Sequence, residues 1–422
     1  MTPYRDLIRT FGKIGLLSFG GPAAQIALMH RVLVDERKWL SEKDYLSALS
    51  FCMLLPGPEA MQLATWSGWR LRGTVGGLLA GLLFVLPGAA VVLAMAMAYA
   101  AFGTVPLMQA LFTGVQAAVA VIVVEALLRV GKRALKGRAA PVIAGLAFAA
   151  LFLFDAPFPL VILAAGLWGF VTARGEAIPL PPPPRATHTL GTVLMWGTIW
   201  LAPLGLLWLA EGGLLAEIGA FFAKLAILTF GGAYAVLAWM AQAVVEDKGW
   251  LTLRQMMDGL GLAETTPGPL ILVTEFVGYM AAHRQGGWLM GLAGAAVTLW
   301  VTFVPSFLMI FAGAPWIARI TADPRLAGAL AAIMAAVVGV IANLSVWFAA
   351  HVFFAEIGRI DLGALSLIAP DPASLRPAVA ALALLSGWLL LVRHWSLPVV
   401  LLVAAGGGLG LHLAALPLAA AL

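Results

Sequence analysis

Charged residues and cysteine are scarce in this sequence. Asp, Glu, Lys and Arg make up 11% of the 422 residues, against about 25% in soluble domains, and hydrophobic residues make up 62%. The single cysteine, Cys52, excludes an intramolecular disulfide and a thiolate metal cluster. This excess of apolar residues is typical of an integral membrane protein, and we predict an all-α polytopic fold, because helices satisfy their own backbone hydrogen bonds in lipid.

Motifs of the common enzyme classes are also absent. The chain contains no HExxH, no GxSxG and no Walker loop, and its six histidines are scattered singly. No nucleophile and base can be paired from the sequence, so we expect no catalytic site, no metal and no cofactor. The lack of a nucleotide-binding loop also argues against direct coupling to ATP within this chain.

About thirteen apolar stretches are close to the ~20 residues that a helix needs to cross the hydrocarbon core. They lie at 11–30, 48–69, 74–98, 106–128, 139–154, 158–173, 190–210, 221–243, 258–281, 288–312, 326–350, 378–392 and 397–420. The pair 139–154 and 158–173 is too short for two comfortable spans. It predicts either two tilted helices or one hairpin that does not fully cross.

Basic residues between the spans predict their orientation. Segment 129–138, RVGKRALKGR, has five Lys or Arg and no acidic residue, so it is expected in the cytoplasm. Counting spans from it places the N-terminus in the cytoplasm and the C-terminus outside. This topology explains the net charge of +5 better than a nucleic-acid partner does. The Pro-rich linker at 179–188 is expected to be extended and to lie outside the membrane.

Three short motifs occur twice at one constant spacing. FGKIGLLSFGG at 11–21 matches FAKLAILTFGG at 222–232, Trp39 matches Trp250, and Pro-Gly-Pro occurs at 56–58 and 267–269, each pair 211 residues apart. We interpret the chain as two copies of one unit. Since the second copy begins with a span of opposite direction, we predict two inverted-topology repeats of about six helices each. The expected domains are 1–175, a linker with a connecting helix at 176–215, and 216–422.

Each copy carries two interruptions of an apolar span. Pro lacks an N–H and Gly opens the backbone, so Pro-Gly-Pro and Phe-Gly-Gly are each expected to produce broken or re-entrant helices. Such breaks persist in lipid only where protein or a wet cavity satisfies the freed groups. Free helix N-termini favour anions, so the four breaks predict one composite anion site; the alternative is kinks that serve packing alone. The residues expected to bind the substrate are Phe19, Gly20, Gly21, Pro22, Pro56, Gly57, Pro58, Gln62, Phe230, Gly231, Gly232, Thr265, Thr266, Pro267, Gly268 and Pro269.

The order of these motifs resembles that of the long, two-domain chromate transporters. FGGP is followed by a Trp-Leu pair, by PGP-x-x-x-Gln and by a Gly-rich span that ends in Leu-Pro, and a degenerate form of this set recurs in the second half. The resemblance covers essentially the whole chain. It implies a secondary transporter of the bacterial inner membrane that exports chromate, a divalent oxyanion similar to sulfate, and thereby gives chromate resistance. Leu270 and Val273 replace Glu59 and Gln62 in the second copy, so the two copies should contribute unequally to binding.

Polar side chains beside the Pro-Gly-Pro motifs are further candidates. Ionisable residues within a membrane are costly unless they are paired or hydrated, so Glu59, Glu264 and Glu275 are candidates for proton coupling. Glu59 also lies where a carboxylate simply stabilises the first turn of a half-helix. Thr265 and Thr266 either cap the half-helix that follows or donate hydrogen bonds to an oxyanion.

Four cations near the span ends are candidates for an electrostatic entrance: Lys13, Lys224, Arg70 and Arg72. Snorkelling of the lysines and positive-inside anchoring by the arginines are the alternatives. We expect a chromate dianion to be carried by alternating access, driven by the membrane potential, with proton exchange as an option. A carrier for sulfate or another oxyanion and a passive anion channel are the competing functions. The lipid bilayer is an expected partner, and Gly-x-x-x-Gly pairs allow close helix contact either within the chain or in a homodimer.

Overall fold

The computed structural model of the chain describes residues 2–173, 186–210, 213–230, 233–363 and 365–419. These residues form sixteen α-helices and one two-stranded sheet, which agrees with the predicted helical fold. The first part of the chain contains α1 (Tyr4–Leu17), α2 (Gly21–His30), α3 (Glu42–Leu54), α4 (Glu59–Phe102), α5 (Pro106–Ala134), α6 (Ala139–Phe154), α7 (Phe158–Thr172) and α8 (Ala186–Leu209). The second part contains α9 (Gly213–Leu228), α10 (Ala233–Gln242), α11 (Leu253–Thr265), α12 (Val273–Gly313), α13 (Ile317–Ala322), α14 (Pro324–Phe353), α15 (Pro377–Gly387) and α16 (Leu397–Ala419).

The first four helices have counterparts of similar length in the second half. Helices α1 to α4 have 14, 10, 13 and 44 residues, and α9 to α12 have 16, 10, 13 and 41 residues. A π-helical turn follows α2 at Arg31–Glu36 and α10 at Ala243–Asp247. A 3-10 turn, Leu270–Leu272, precedes α12 and has no counterpart before α4. The order of elements follows the 211-residue spacing, while the inverted arrangement stays a prediction.

Helices α4 and α12 each turn back at a glycine. Gly73 has φ 64° and ψ −159°, and Gly287 has φ 70° and ψ −162°, a conformation that residues with a side chain rarely adopt. A methyl group on Gly68 would lie 2.2 Å from the carbonyl oxygen of Gly76, so the stretches before and after the turn of α4 pack directly on each other. We call the two stretches the first and second arm of each helix. The arms are residues 59–71 and 74–102 of α4, and residues 273–285 and 288–313 of α12.

Two compact units each combine segments from both halves of the chain. The first unit comprises Met1–Met97, Gly169–Val236 and Thr266–Leu330, and within it α12 packs against α8 and α9. The second unit comprises Ala98–Trp168, Leu237–Thr265 and Ala331–Leu422, and within it α5 packs against α15 and α16. The domain boundaries predicted from the sequence follow the two repeated units and not these compact units. They stay a prediction about which parts of the chain are repeated.

Six helices among the described residues are long and apolar enough to cross a membrane. They are Glu59–Phe102, Pro106–Ala134, Thr189–Leu209, Leu270–Trp316, Pro324–Phe353 and Leu397–Ala414, and three shorter apolar helices are Ala139–Phe154, Phe158–Thr172 and Pro377–Val392. Helices α1 to α3 and α9 to α11 reach only ~24 Å at 1.5 Å per residue, less than the ~30 Å core. The predicted spans 11–30, 48–69, 221–243 and 258–281 each consist of two helices that meet at a break. The count of about thirteen spans stays a prediction.

Two connecting segments differ from their prediction. The Pro-rich linker at 179–188 lies outside the described residues up to position 185, and its last three residues begin helix α8 instead of being extended. The segment at 351–377 contains an antiparallel hairpin that the sequence reasoning missed, with β1 (Ile357–Leu362) paired to β2 (Leu365–Pro370). Gly363, between two short runs that contain Ile and Leu, is the turn signal that was available.

Candidate functional site at the helix breaks

The Pro-Gly-Pro motif of each copy is hydrogen-bonded to the Phe-Gly-Gly break of the other copy. The N–H of Gly57 donates to the carbonyl of Thr229 at 2.6 Å, and the N–H of Gly268 donates to the carbonyl of Ser18 at 2.8 Å. Gly57 and Gly268 are 211 residues apart, and so are Ser18 and Thr229. The two bonds are therefore equivalent, and they bring all four predicted breaks into one place in the first compact unit.

Each Pro-Gly-Pro ends one helix and begins another. Helix α3 ends at Leu54 and α4 begins at Glu59, while α11 ends at Thr265 and a 3-10 turn begins at Leu270. Gly57 has φ 118° and Gly268 has φ 94°, which a residue with a side chain would adopt only under strain. The prolines on either side have no N–H to donate, so the glycine N–H is the one donor of each motif, and it is the group used in the crossed bonds.

The Phe-Gly-Gly breaks follow the same local pattern. The Ser18 hydroxyl donates to the Ile14 carbonyl at 2.6 Å, and the Thr229 hydroxyl donates to the Leu225 carbonyl at 2.7 Å. Each hydroxyl is thereby used inside its own helix, and the carbonyl of the same residue is left for the glycine of the other copy. Gly20 and Gly21 have φ 85° and 76°, consistent with the predicted break. Two residues of the predicted site, Gly231 and Gly232, lie outside the described residues.

Four helical segments begin around a small cavity at these breaks. The cavity has a volume of about 20 Å³, which is enough for one water molecule. Its lining comes from the start of α2, the start of α4, the start of α10 and the 3-10 turn before α12. Helix N-termini carry free N–H groups and a partial positive charge, so this arrangement favours a negatively charged ligand. The lining residues are Pro22, Gln25, Pro58, Glu59, Ala60, Thr229, Ala233, Pro269, Leu270 and Ile271.

Two buried glutamines make the site asymmetric. The side-chain N–H groups of Gln25 donate to the carbonyls of Ser18 at 3.2 Å and Gly268 at 2.7 Å, so Gln25 reinforces one of the two crossed bonds. Gln62 donates to the carbonyl of Pro56 at 2.7 Å. The amide oxygens of both side chains have no hydrogen-bond partner among the described residues. The positions 211 residues later are both valine, so these polar groups come from the first copy alone.

Gln25 was missed by the sequence reasoning. It is the only glutamine in the predicted span 11–30, and a polar side chain inside an apolar span was the available signal.

Gly88 and Ser306 were missed as well. They are equivalent because each directly follows the proline that ends the Gly-rich stretch of its copy, Pro87 or Pro305. A methyl group on Gly88 would lie 2.2 Å from the Pro267 carbonyl oxygen, and the Ser306 hydroxyl lies 3.0 Å from where a methyl group on Gly57 would be. Each therefore touches the Pro-Gly-Pro motif of the other copy.

The three predicted carboxylates differ in burial, and Glu59 is the one of them that lines the cavity. Glu59 begins α4, is half-buried and lines the cavity. Glu275 is 1% exposed, and neither of its carboxyl oxygens has a partner among the described residues. Glu264 lies in the last turn of α11 and is half-buried. Thr265 donates its hydroxyl to the Leu262 carbonyl at 2.7 Å, so this hydroxyl bonds back to the preceding helix instead of capping the following one.

The four cations of the predicted entrance do not line the cavity. Lys13 and Lys224 are exposed and lie five residues before Ser18 and Thr229, so each is in the later part of its helix, α1 or α9. Arg70 is exposed. Arg72 lies in the turn of α4, where its guanidinium group donates to the Thr2 carbonyl and stacks over the Tyr4 ring at 4.7 Å.

Comparison with known proteins gives a consistent result. The chain is 36% identical over 344 residues to the chromate transport protein of Pseudomonas aeruginosa, covering 80% of this chain and 79% of the relative. It is 32% identical over 337 residues to that of Cupriavidus metallidurans, covering 80% of both chains. A probable chromate transport protein of Synechococcus elongatus is 29% identical over 407 residues, covering 96% of this chain and 94% of the relative.

None of the solved structures matches the chain. The model of the chromate transporter family, however, matches this chain over two segments, residues 5–170 and 216–411. These segments together hold both Pro-Gly-Pro motifs, the crossed hydrogen bonds and every residue that lines the cavity. The chain belongs to the chromate transporter family.

Proposed function

We propose that this protein exports chromate across the bacterial inner membrane as a secondary transporter, and that the oxyanion binds at the four helix breaks. The observation that carries the proposal is the cavity lined by four helical N-terminal ends. Backbone N–H groups at such ends bind tetrahedral anions without a cationic side chain. The relatives named as chromate transport proteins support chromate as the anion, and they are named as transporters and not as enzymes.

Binding would use mainly backbone groups and small polar side chains. The N–H groups at the start of α2, α4, α10 and the 3-10 turn would point towards the oxyanion. Gly57 and Gly268 do not line the cavity and would hold the two breaks together through the crossed bonds. The free amide oxygen of Gln25 or Gln62 accepts hydrogen bonds, so it would repel an anion in its present orientation. Rotation of the amide would turn donors towards the anion instead.

The site has to open before an oxyanion enters. A cavity of about 20 Å³ holds a single water, and a tetrahedral anion with four oxygen atoms is larger. Alternating access by inverted repeats supplies such a movement, because one repeat rocks against the other around a shared site. We place the N-terminus in the cytoplasm and the C-terminus outside, as the positive-inside rule predicts.

The membrane potential is the proposed driving force. Moving one negative charge out of an inside-negative cell gains ~2.3 kcal/mol per 100 mV, so a dianion carried alone gains twice that amount. Glu59, Glu264 and Glu275 are the candidates for proton coupling. Lys13, Lys224, Arg70 and Arg72 would act at a distance, by raising the local anion concentration at the surface, since none of them lines the cavity.

Transport into inverted membrane vesicles tests this function. Labelled chromate and, separately, labelled sulfate are added under an imposed potential, with wild type and with Gly57→Leu and Gly268→Leu. Potential-driven chromate accumulation that is lost in both variants supports an exporter with its site at the breaks. Accumulation of sulfate alone would identify a sulfate carrier, and uptake without saturation or counterflow would identify an anion channel.

A further inference from the structure

Glu275 is a buried carboxyl group one helical turn from the proposed anion site. It lies in the first turn of α12, four residues after Ile271, which belongs to the 3-10 turn before α12 and lines the cavity. Glu275 is 1% exposed, and both of its oxygen atoms are buried without a hydrogen-bond partner among the described residues. A buried carboxyl group of this kind needs an explanation, because buried polar groups are normally paired.

A line of hydroxyl groups on the second arm of α12 runs beside Glu275. Thr298, Thr302 and Ser306 are four residues apart, so they lie on one face, and all three are buried. At one end, a methyl group on Gly278 would lie 2.0 Å from the Thr298 hydroxyl oxygen. At the other end, the Ser306 hydroxyl lies 3.0 Å from where a methyl group on Gly57 would be.

The arms of α12 run in opposite directions, so the line of hydroxyl groups leads from beside Gly278 back to the Pro-Gly-Pro break. Glu275 is about one turn nearer to the break than Gly278, on the arm that packs against the hydroxyl-bearing arm. The Thr302 hydroxyl, in the middle of the line, has no hydrogen-bond acceptor or donor among the described residues. Neither oxygen of Glu275 is hydrogen-bonded to the Thr302 hydroxyl, so the line is a buried polar face beside the break and not a connected path for a proton.

No cation compensates Glu275 within the described part of the chain. Helix α12 packs against α8, which carries no ionisable side chain over 189–209, and against α9, which carries Glu217 and Lys224. His283 and Arg284 of α12 lie more than two turns further along the arm, and Glu59 lines the cavity. Neither oxygen of Glu275 is paired with any of these groups. Removing its proton would leave an uncompensated charge in the interior, which costs several kcal/mol.

A dianion at the break would increase that cost, because two like charges so close repel each other strongly where water is excluded. A proton on Glu275 and a dianion in the cavity therefore favour each other. We propose that Glu275 binds a proton together with the oxyanion and that the two cross the membrane in the same direction. This inference rests on the proposed function, and it differs from exchange of protons against the anion.

The first copy has no carboxyl group at the position equivalent to Glu275. The position 211 residues before Glu275 is Ala64. Glu59, the carboxyl group of the first copy that lines the cavity, is only half-buried, so we assign the one proton that accompanies each dianion to Glu275. The net charge moved per cycle becomes one instead of two. The membrane potential then contributes half of what it would contribute to a dianion carried alone.

Proton uptake on binding tests the inference directly. Purified protein in weakly buffered alkaline solution, where chromate is a dianion, is mixed with chromate in the presence of a pH-sensitive dye. At a pH high enough to remove the Glu275 proton from the free protein, wild type should take up about one proton per bound chromate, and its affinity should fall towards about tenfold per pH unit. Glu275→Gln should bind without proton uptake and without this pH dependence, and Glu275→Asp should restore both.

Glu217→Gln is the matched control, since it removes an exposed carboxylate from the neighbouring helix α9. It should behave as wild type. In reconstituted vesicles, the charge carried per chromate should rise from one to two in Glu275→Gln. Chromate binding by wild type without proton uptake at any pH, and with an affinity that does not fall as the pH is raised, would overturn the inference while leaving the proposed function intact. A wild type that binds neither chromate nor sulfate would overturn the proposed function itself.

Discussion

The backbone N–H of Gly57 donates a hydrogen bond of 2.6 Å to the carbonyl of Thr229, and the equivalent bond from Gly268 to Ser18 measures 2.8 Å. Each copy thus holds the broken helix of the other copy. When the two copies move relative to each other, either both hydrogen bonds break or the bonded segments move together. The crossed pair is therefore the point at which substrate binding and movement of the repeats would be coupled.

Alanine at Gly57 or Gly268 should impair chromate transport severely. Both positions have a left-handed backbone, which costs a residue with a side chain ~1–2 kcal/mol. The added methyl group at Gly57 would also lie 2.6 Å from the Gln62 side-chain nitrogen, and the one at Gly268 would lie 2.9 Å from a Leu272 methyl group. We expect chromate affinity to fall roughly tenfold for each ~1.4 kcal/mol lost, measured as binding to purified protein.

Gly145→Ala is the control for these two variants. Gly145 lies within α6, and a methyl group there would have no atom within 4 Å. Alanine is favoured over glycine in a helix by ~1 kcal/mol, so this variant should be folded and fully active. Equal losses in Gly145→Ala and Gly57→Ala would show that glycine replacement harms the protein generally, and would remove the special role of the breaks.

Gln25→Val should weaken transport although valine is natural at the equivalent position of the second copy. The change removes two hydrogen bonds, to the Ser18 and Gly268 carbonyls, each worth about 0.5–1.5 kcal/mol. We expect a fall of about tenfold in chromate transport at unchanged expression. Gln109→Val, which removes one bond to the exposed Thr104 carbonyl, is the matched control. Full activity of Gln25→Val would mean that this glutamine neither binds the anion nor holds the break.

Gly88→Ala should be more damaging than Ser306→Ala. The two residues occupy equivalent places beside the opposite Pro-Gly-Pro motif, but a methyl group on Gly88 would lie 2.2 Å from the Pro267 backbone oxygen, which cannot rotate away. Truncation of Ser306 removes one hydroxyl group and adds no atoms. Initial rates of chromate uptake in vesicles would measure the difference. Gly406→Ala, where a methyl group has no atom within 4 Å, should match wild type, and a comparable loss there would contradict the steric explanation.

The sequence predicted the positions of the breaks because Gly and Pro act locally. Gly57 and Gly268 could be matched from their spacing, and their positive φ follows from the Pro-Gly-Pro context. The crossed hydrogen bonds could not be predicted in the same way. They join residues more than 170 positions apart, and equal spacing in a repeat says that two residues are equivalent without saying which residues touch.

Gln25 and the turns of α4 and α12 were also missed by the sequence reasoning. A lone glutamine in an apolar span is recognisable, but its two carbonyl partners depend on how the breaks pack. The short helices α1 to α3 were merged into longer predicted spans because hydropathy averages over about 19 residues and smooths out a break of two or three. Gly73 and Gly287 were available as turn signals at the span boundaries.

A buried carboxylate on α11 holds that helix in the second compact unit. Asp258 is 2% exposed, and its two oxygens accept hydrogen bonds from the Tyr99 hydroxyl at 2.6 Å and the Gln116 side-chain nitrogen at 2.7 Å. Helix α11 runs directly into the second Pro-Gly-Pro motif. The three side chains come from α4, α5 and α11, so they fix the helix that carries the break to two long apolar helices.

Tyr99→Phe should therefore lower the stability of the protein. The variant keeps the ring and removes the hydroxyl, which leaves one buried oxygen of Asp258 without its donor, at a cost of about 1–3 kcal/mol. Thermal unfolding in detergent, followed by the loss of helical signal, should show a lower Tm. Tyr4→Phe is the control, because Tyr4 is 41% exposed and contributes its ring, not its hydroxyl, to the contact with Arg72. Equal Tm values for Tyr99→Phe and wild type would contradict this prediction and would show that the Tyr99 hydroxyl does not help to hold α11 in place.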